Sequence, residues 1–254
     1  MDGTGEPVSP EPRVAVVTGG SRGIGRACAQ ALAADGWRVA IGYRTSEADA
    51  KEALEALEAA GSPGMAVVMD VTDEGSVTEA FRRVSEELGT VTGLVNNAGI
   101  SRDGLLLKYP MDVYEATMAT NLRGAFLCCR SALRGMLRAR WGRIVNMSSA
   151  VALHGNAGQT VYGATKAGVV GLTRSLAREV GGKGITVNAV CPGFLDTEMT
   201  SHLTEEARAY YLDQTPAGRA ATLAEVASVV RFLMSEEASY VNGAVVPVDG
   251  GLTA

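Results

Sequence analysis

Tyr162 and Lys166 stand in the stretch Tyr162-Gly-Ala-Thr-Lys166, where an apolar helical pattern begins. If that helix starts near Thr160, the two side chains share one helix face, so a phenol and an ammonium become neighbours. A phenol titrates near roughly 10 in water, and a cation within about 4–6 Å favours the phenolate and lowers that value. Lys166 is therefore expected to lower the Tyr162 pKa, letting the phenol exchange a proton with a carbonyl or alkoxide oxygen near neutral pH. Ser149 follows the apolar run Arg143-Ile-Val-Asn-Met and belongs at a strand's carboxyl end, where its hydroxyl can hold the same oxygen. This set specifies carbonyl/alcohol chemistry and needs a hydride carrier bound elsewhere on the chain.

The elements that must position these groups alternate. Val14–Val17 is a wholly apolar, β-branched run of the kind covered on both faces. It feeds Thr18-Gly19-Gly20-Ser21-Arg22-Gly23-Ile24-Gly25 and a helix through Asp35 that Gly36 ends. Strands are predicted at 38–43, 65–69, 94–97, 143–147, 185–190 and 244–248, and helices at 47–60, 73–88, 111–138, 160–180 and 223–234. Strict alternation means an α/β fold: a doubly wound, parallel, seven-stranded sheet with helices on both faces and ligands at the strands' carboxyl ends.

The first turn reads Gly19-x-x-x-Gly23-x-Gly25 between strand and helix, where small residues let the backbone approach a pyrophosphate at a helix N-terminus. The same residues match Gly-x-Ser-x-Gly with Ser21 as a hydrolase nucleophile, but that site needs an earlier strand and loop for its oxyanion hole. A P-loop fails as well, because Arg26 and Ala27 stand where Lys and Ser/Thr are required. After the second strand, Arg44 occupies the position where an acidic residue would meet a free ribose 2′-hydroxyl. Arg22 and Arg44 can instead clamp a 2′-phosphate, favouring NADP(H), or can be two solvated surface arginines. Asp70, after the third strand, is placed to accept from the adenine amino group. Asn97 is placed to stabilise the central strands, and Ala98 and Gly99 to let a cofactor pass. Asn121, a poor helix residue inside the long helix, either breaks the ladder locally and holds a water behind Lys166 or faces solvent.

Composition narrows the classes. The 254 residues carry a formal charge of −5, which argues against nucleic acid or an anionic membrane as the main partner. No apolar run is long enough to span a bilayer. The four cysteines, Cys28, Cys128, Cys129 and Cys191, have no zinc-like spacing, and His154 and His202 are the only histidines, so no metal site is expected. Residues 1–12 are acidic and proline-rich and read as a disordered tail without a secretion signal, and the protein is expected to be cytoplasmic.

Taken in order, the glycine turn 18–25, Asn96-Asn97-Ala98-Gly99, Asn121, Ser149, Tyr162-x-x-x-Lys166 and Pro192-Gly193 resemble the short-chain dehydrogenase/reductase family over residues 13–251. The resemblance implies a single-domain Rossmann fold spanning 13–254 and a catalytic set of Asn121, Ser149, Tyr162 and Lys166. In it Tyr162 is the general acid, Ser149 orients the carbonyl, Lys166 tunes Tyr162 and holds the nicotinamide ribose, and Asn121 anchors a proton-relaying water. It further implies NADP(H) contacts at Gly19, Ser21, Arg22, Gly23, Ile24, Gly25, Arg44, Asp70, Val71, Asn97, Ala98, Gly99, Pro192, Gly193, Leu195 and Thr197, with Tyr162 and Lys166 shared.

Within the family, Gly99-Ile-Ser-Arg-Asp-Gly-Leu-Leu, Gly155-Asn-Ala-Gly-Gln159 and Pro192-Gly-Phe-Leu-Asp-Thr-Glu-Met are most similar to the 3-oxoacyl-(acyl-carrier-protein) reductases. By that resemblance Arg140 and Lys183 meet an acidic acyl carrier protein, and helices 111–138 and 160–180 pack against copies of themselves in a homotetramer. Residues 194–219 are expected to form a substrate lid hinged at Pro192-Gly193. The rivals are a ketoreductase for a polyketide, sugar, steroid or xenobiotic carbonyl, and a sensor that binds NADP(H) without turnover.

Overall fold

A computed structural model of the chain describes residues 13–197, 200–201 and 204–254. The tail at 1–12 lies outside them. The strands are β1 (Val14–Thr18), β2 (Arg38–Tyr43), β3 (Gly64–Val68), β4 (Val91–Asn96), β5 (Gly142–Met147), β6 (Ile185–Pro192) and β7 (Val245–Val248). They form one sheet in the order β3-β2-β1-β4-β5-β6-β7, with every pairing parallel. Chain direction across the sheet reverses between β1 and β4, which opens a crevice at their carboxyl ends.

The helices are α1 (Gly23–Ala34), α2 (Glu47–Ala59), α3 (Glu74–Glu87), α4 (Met111–Met118), α5 (Gly124–Ala139), α6 (Val151–His154), α7 (Thr160–Val180), α8 (Glu205–Asp213) and α9 (Leu223–Met234). β1 and β5 are buried along their whole length, and the pleat sends alternate residues to opposite cores. Val14 and Val16 join the core under α3, α5 and α7, which includes Phe81, Leu127 and Leu176. Ala15 and Val17 join the core under α1, α2 and α9, which includes Leu32, Leu57 and Leu233. With both faces covered, the carboxyl edge of the sheet is where loops can build a site.

Three local features depart from expectation. The helix predicted at 111–138 is α4 and α5 joined by a π-helical segment, Ala119–Arg123, that contains Asn121. Its widened turn frees the Asn121 side chain to bond away from the helix, as described below. The short helix α6 was not expected, because its four residues fall in a loop with no apolar period. Within the lid region, α8 starts at an N-cap where Thr204 accepts from the Ala207 amide, a start signal hidden by the polar composition around it.

Candidate active site

The crevice is floored by the turn after β1. Gly19 has φ +60°, and a Cβ on Gly25 would lie 2.3 Å from the Gly19 carbonyl oxygen and 2.5 Å from Asn97 Nδ2. Only glycine lets the start of α1 approach the turn this closely. Arg22, extended and exposed at the N-cap of α1, makes no side-chain capping bond, and a helix N-terminus of this kind can present its first-turn amides to an anion. A turn that a side chain would fill, next to an uncapped helix N-terminus, fits a pyrophosphate.

Asn97 fastens this turn to the neighbouring strand. Its Nδ2 donates to Thr18 O and Gly19 O, both at 3.0 Å, while Thr18 Oγ1 accepts from the backbone amides of Asn97 and Ala98 at 3.0 Å. Thr18 was not singled out from the sequence, although a lone hydroxyl at the end of an apolar strand was its signal. Further along the edge, Arg44 follows β2 and is exposed. Partial burial pulls the Asp70 carboxyl up, but bonds from Thr72 N at 2.9 Å and Thr72 Oγ1 at 2.7 Å, with the Arg44 charge, bring it below the usual carboxylate range. Asp70 therefore stays ionised beside Arg44. Val71 packs over Gly124 at the start of α5.

The candidate catalytic side chains sit at the end of β5 and in the first turns of α7, beside the end of β6. Lys166 lies on the α7 face that carries Tyr162, with Nζ 5.7 Å from the ring centroid, and donates to the Met147 carbonyl at 2.7 Å. Burial pulls the Lys166 pKa down from 10.5 to about 8. Ser149 Oγ accepts from Val151 N at 3.2 Å and lines the cleft beside Tyr162. The expected lowering of the Tyr162 pKa is not found. Burial of the phenol raises it, with the nearby Ser149 hydroxyl only partly opposing the rise and the Asp103 and Cys191 charges adding to it. The Lys166 amine donates to Met147 O and is not among the groups that shift the phenol.

Asn121 is buried, not solvent-facing. Its Oδ1 accepts from Ile100 N at 2.8 Å, and its Nδ2 donates to Ile100 O at 2.9 Å and Thr165 Oγ1 at 3.1 Å. It thus ties the loop after β4 to α7. A Cβ on Gly99 would come within 3.3 Å of Asn121 Oδ1 and 3.4 Å of Lys166 Nζ, so these three residues close the back of the cleft together.

Ile24, Asn97, Gly99, Ser149, Tyr162, Lys166, Pro192, Gly193, Leu195 and Thr197 line one cleft. Gly19, Ser21, Arg22, Gly23, Gly25, Arg44, Asp70, Val71 and Ala98 lie outside that cleft lining, in the segments that follow β1 to β4. Met147, Val151, Phe194, Tyr211 and Leu252 make the rest of the wall largely apolar, and Ser101, Asp103 and Gln159 add polar groups. Phe194 and Tyr211 fall in the expected lid, but none of the eight was picked singly as a site residue, because their convergence depends on loops whose course no periodicity records.

Residues 19–253 match the family model described as enoyl-(acyl carrier protein) reductase. The chain is 48% identical over 245 residues to a 3-oxoacyl-(acyl-carrier-protein) reductase of Pseudomonas aeruginosa, covering 96% of this chain and 99% of that one. It belongs to the short-chain dehydrogenase/reductase family. It is accordingly an oxidoreductase acting on the CH–OH/C=O pair. The reductase of the same name from Escherichia coli is 44% identical over 242 residues, covering 95% and 98% of the two chains. Among solved structures, a putative gluconate dehydrogenase from Agrobacterium tumefaciens superposes with a TM-score of 0.92 at 35% identity, over 95% of this chain and 96% of the other. A blue fluorescent protein from a metagenomic library, solved in complex with NADPH, superposes with a TM-score of 0.90 at 39% identity, over 95% and 98%.

Proposed function

We propose that this family member uses NADP(H) to reduce a 3-oxoacyl thioester, presented on acyl carrier protein, to the 3-hydroxyacyl thioester, a step of fatty acid biosynthesis. One observation carries the reading: Ser149, Tyr162 and Lys166 line one largely apolar cleft together with Ile24 of the glycine turn. When bound, NADPH supplies the hydride. Ser149 holds the substrate carbonyl oxygen, and Tyr162 gives its proton to that oxygen as negative charge develops there. Burial keeps the phenol protonated through neutral pH, which suits an acid. Lys166 would hold the nicotinamide ribose, Asn121 would anchor the water that relays protons, and the 22 and 44 guanidiniums would take the 2′-phosphate. Val71, Leu195 and Thr197 would flank the dinucleotide.

The two P. aeruginosa and E. coli relatives, named for 3-oxoacyl-(acyl-carrier-protein) reduction, favour the thioester over a sugar, steroid, xenobiotic or polyketide carbonyl. Arg140 and Lys183 are exposed and close in space, since Gly142 N donates to Gly184 O at 3.3 Å and the Arg140 carbonyl abuts Gly184. They lie at the amino ends of β5 and β6, a strand's length of roughly 20 Å from the cleft. A carrier protein docked there would serve a neighbouring subunit's cleft, so this docking proposal and the homotetramer stand together. We place the protein in the cytoplasm; no helix among the described residues is long and apolar enough to cross a membrane.

The test is NADPH oxidation with an acetoacetyl thioester by the wild type and Tyr162→Phe. Loss of about 10²-fold or more in the variant is expected. Unchanged turnover removes Tyr162 from the chemistry, preference for a non-thioester carbonyl overturns the substrate assignment, and NADP(H) binding without turnover of any carbonyl leaves the sensor reading.

A further inference from the structure

The loop before α7 and the described part of the 194–219 lid are joined by a short chain of contacts. Gln159, the N-cap residue of α7 and one turn ahead of Tyr162, donates through Nε2 to Asp103 Oδ1 at 2.9 Å. Its Oε1 accepts from Asn156 Nδ2 at 3.0 Å. The same Asn156 amide donates to Tyr211 Oη, on α8, at 2.9 Å. The Tyr211 ring then stacks on Phe194, two residues past Pro192, with centroids 5.3 Å apart and planes 8° from parallel. Tyr211 and Phe194 both line the cleft that holds Tyr162.

An amide with two hydrogens is the right group for this junction, since each hydrogen serves a different wall of the cleft. One bond reaches Gln159 at the N-cap of the helix that carries Tyr162, and the other reaches α8, whose Tyr211 lines the cleft. The stacked ring pair presents apolar surface to whatever lies beneath it, beside Leu195 and Val151. Polar groups at the edge and paired aromatics above suit a substrate with an uncharged aliphatic chain next to its carbonyl.

We propose that Asn156 is the positioning residue that fastens α8 over the cleft through Tyr211, and that the Tyr211–Phe194 pair it holds selects the aliphatic chain next to the reacting carbonyl. The substrate half of this assignment rests on the thioester reading above; the fastening does not. Neither residue touches the reacting atoms, so their loss should act on substrate capture more than on the chemical step.

Two variants test it. Asn156→Ala cuts both bonds, and Tyr211→Phe cuts one while keeping the ring stack. One neutral hydrogen bond lost from the covered state is worth about fivefold in its population. Amide hydrogen exchange over residues 205–213 should therefore speed up about fivefold in both variants, with exchange over 160–180 unchanged. With a 3-oxohexanoyl thioester KM should rise about fivefold in Tyr211→Phe and more in Asn156→Ala, while kcat falls less than threefold and the NADPH Kd holds. Unchanged exchange over 205–213 in Asn156→Ala overturns the fastening. Faster exchange with an unchanged KM, or a fall in kcat at constant KM, overturns the selecting role. If the wild type reduces no carbonyl at all, the proposed function fails, and the exchange measurement still decides the fastening.

Discussion

Replacing Lys166 with methionine should stabilise the protein at pH 7 while abolishing its turnover. Lys166 is buried, and its pKa falls from 10.5 to about 8 because burial penalises the ammonium. That step of about 2.5 pH decades is roughly 3 kcal/mol of folding free energy withheld at neutral pH, at 1.36 kcal/mol each. Against it stands the bond from Nζ to Met147 O at 2.7 Å, whose loss leaves a buried carbonyl short of a donor at about 1–3 kcal/mol. Methionine matches the lysine stem in volume, so the net gain is about 0–2 kcal/mol, or at most roughly 8 °C in Tm for a chain of this size. The sign depends on pH. Between about 8 and 10.5 the unfolded chain keeps the lysine proton that the folded chain has released, so wild-type stability gains with rising pH relative to the variant. The difference between wild type and variant should reverse, with the variant more stable at pH 7 and less stable near pH 10.5. Denaturant unfolding of both proteins across that range, at equal protein concentration, measures it. A variant that is less stable than the wild type by the same margin at both pH values would refute the claim that charge burial dominates at this lysine.

Gly25→Ala should cost at least about 2 kcal/mol and weaken NADPH binding tenfold or more, because its Cβ would meet the Gly19 carbonyl at 2.3 Å and displace Asn97; thermal unfolding and a binding titration check this, and wild-type values for both would contradict the turn geometry. Arg44→Ala should lower the NADPH-over-NADH ratio of kcat/KM by tenfold or more, with little effect on the NADH value, since only the 2′-phosphate loses a charged partner. Burial pushes the thiols of Cys28 and Cys129 up to about 12 and that of Cys128 up as well, so none should react with a thiol reagent at pH 8 until the protein unfolds. Rapid labelling of any of the three in the native protein would show that this part of the core opens.

Much of the fold was legible because burial on both faces of a parallel sheet writes itself as short apolar runs such as Val14–Val17 and Ile185–Val190, punctuated by glycine turns. The pairing of Tyr162 with Lys166 followed from helical spacing alone, and the nucleotide-type turn from the spacing of its glycines between strand and helix. Local geometry is short-range and so survives in the order of residues. What the residue order could not carry was direction and surroundings. The Lys166 amine turns to Met147 O, and burial raises the Tyr162 pKa where proximity to a cation argued for lowering it, because desolvation depends on every atom packed around the group. The π-helical turn at Asn121 likewise depends on the Ile100 backbone and Thr165 standing across from it. Asp103, Asn156, Gln159, Phe194 and Tyr211 meet only because three loops end at the same edge of the sheet. The sequence by itself determined which candidate reactive groups the chain holds and on which elements; the tertiary structure alone decided their electrostatic setting and which loops converge on them, since both are sums over neighbours distant in the chain.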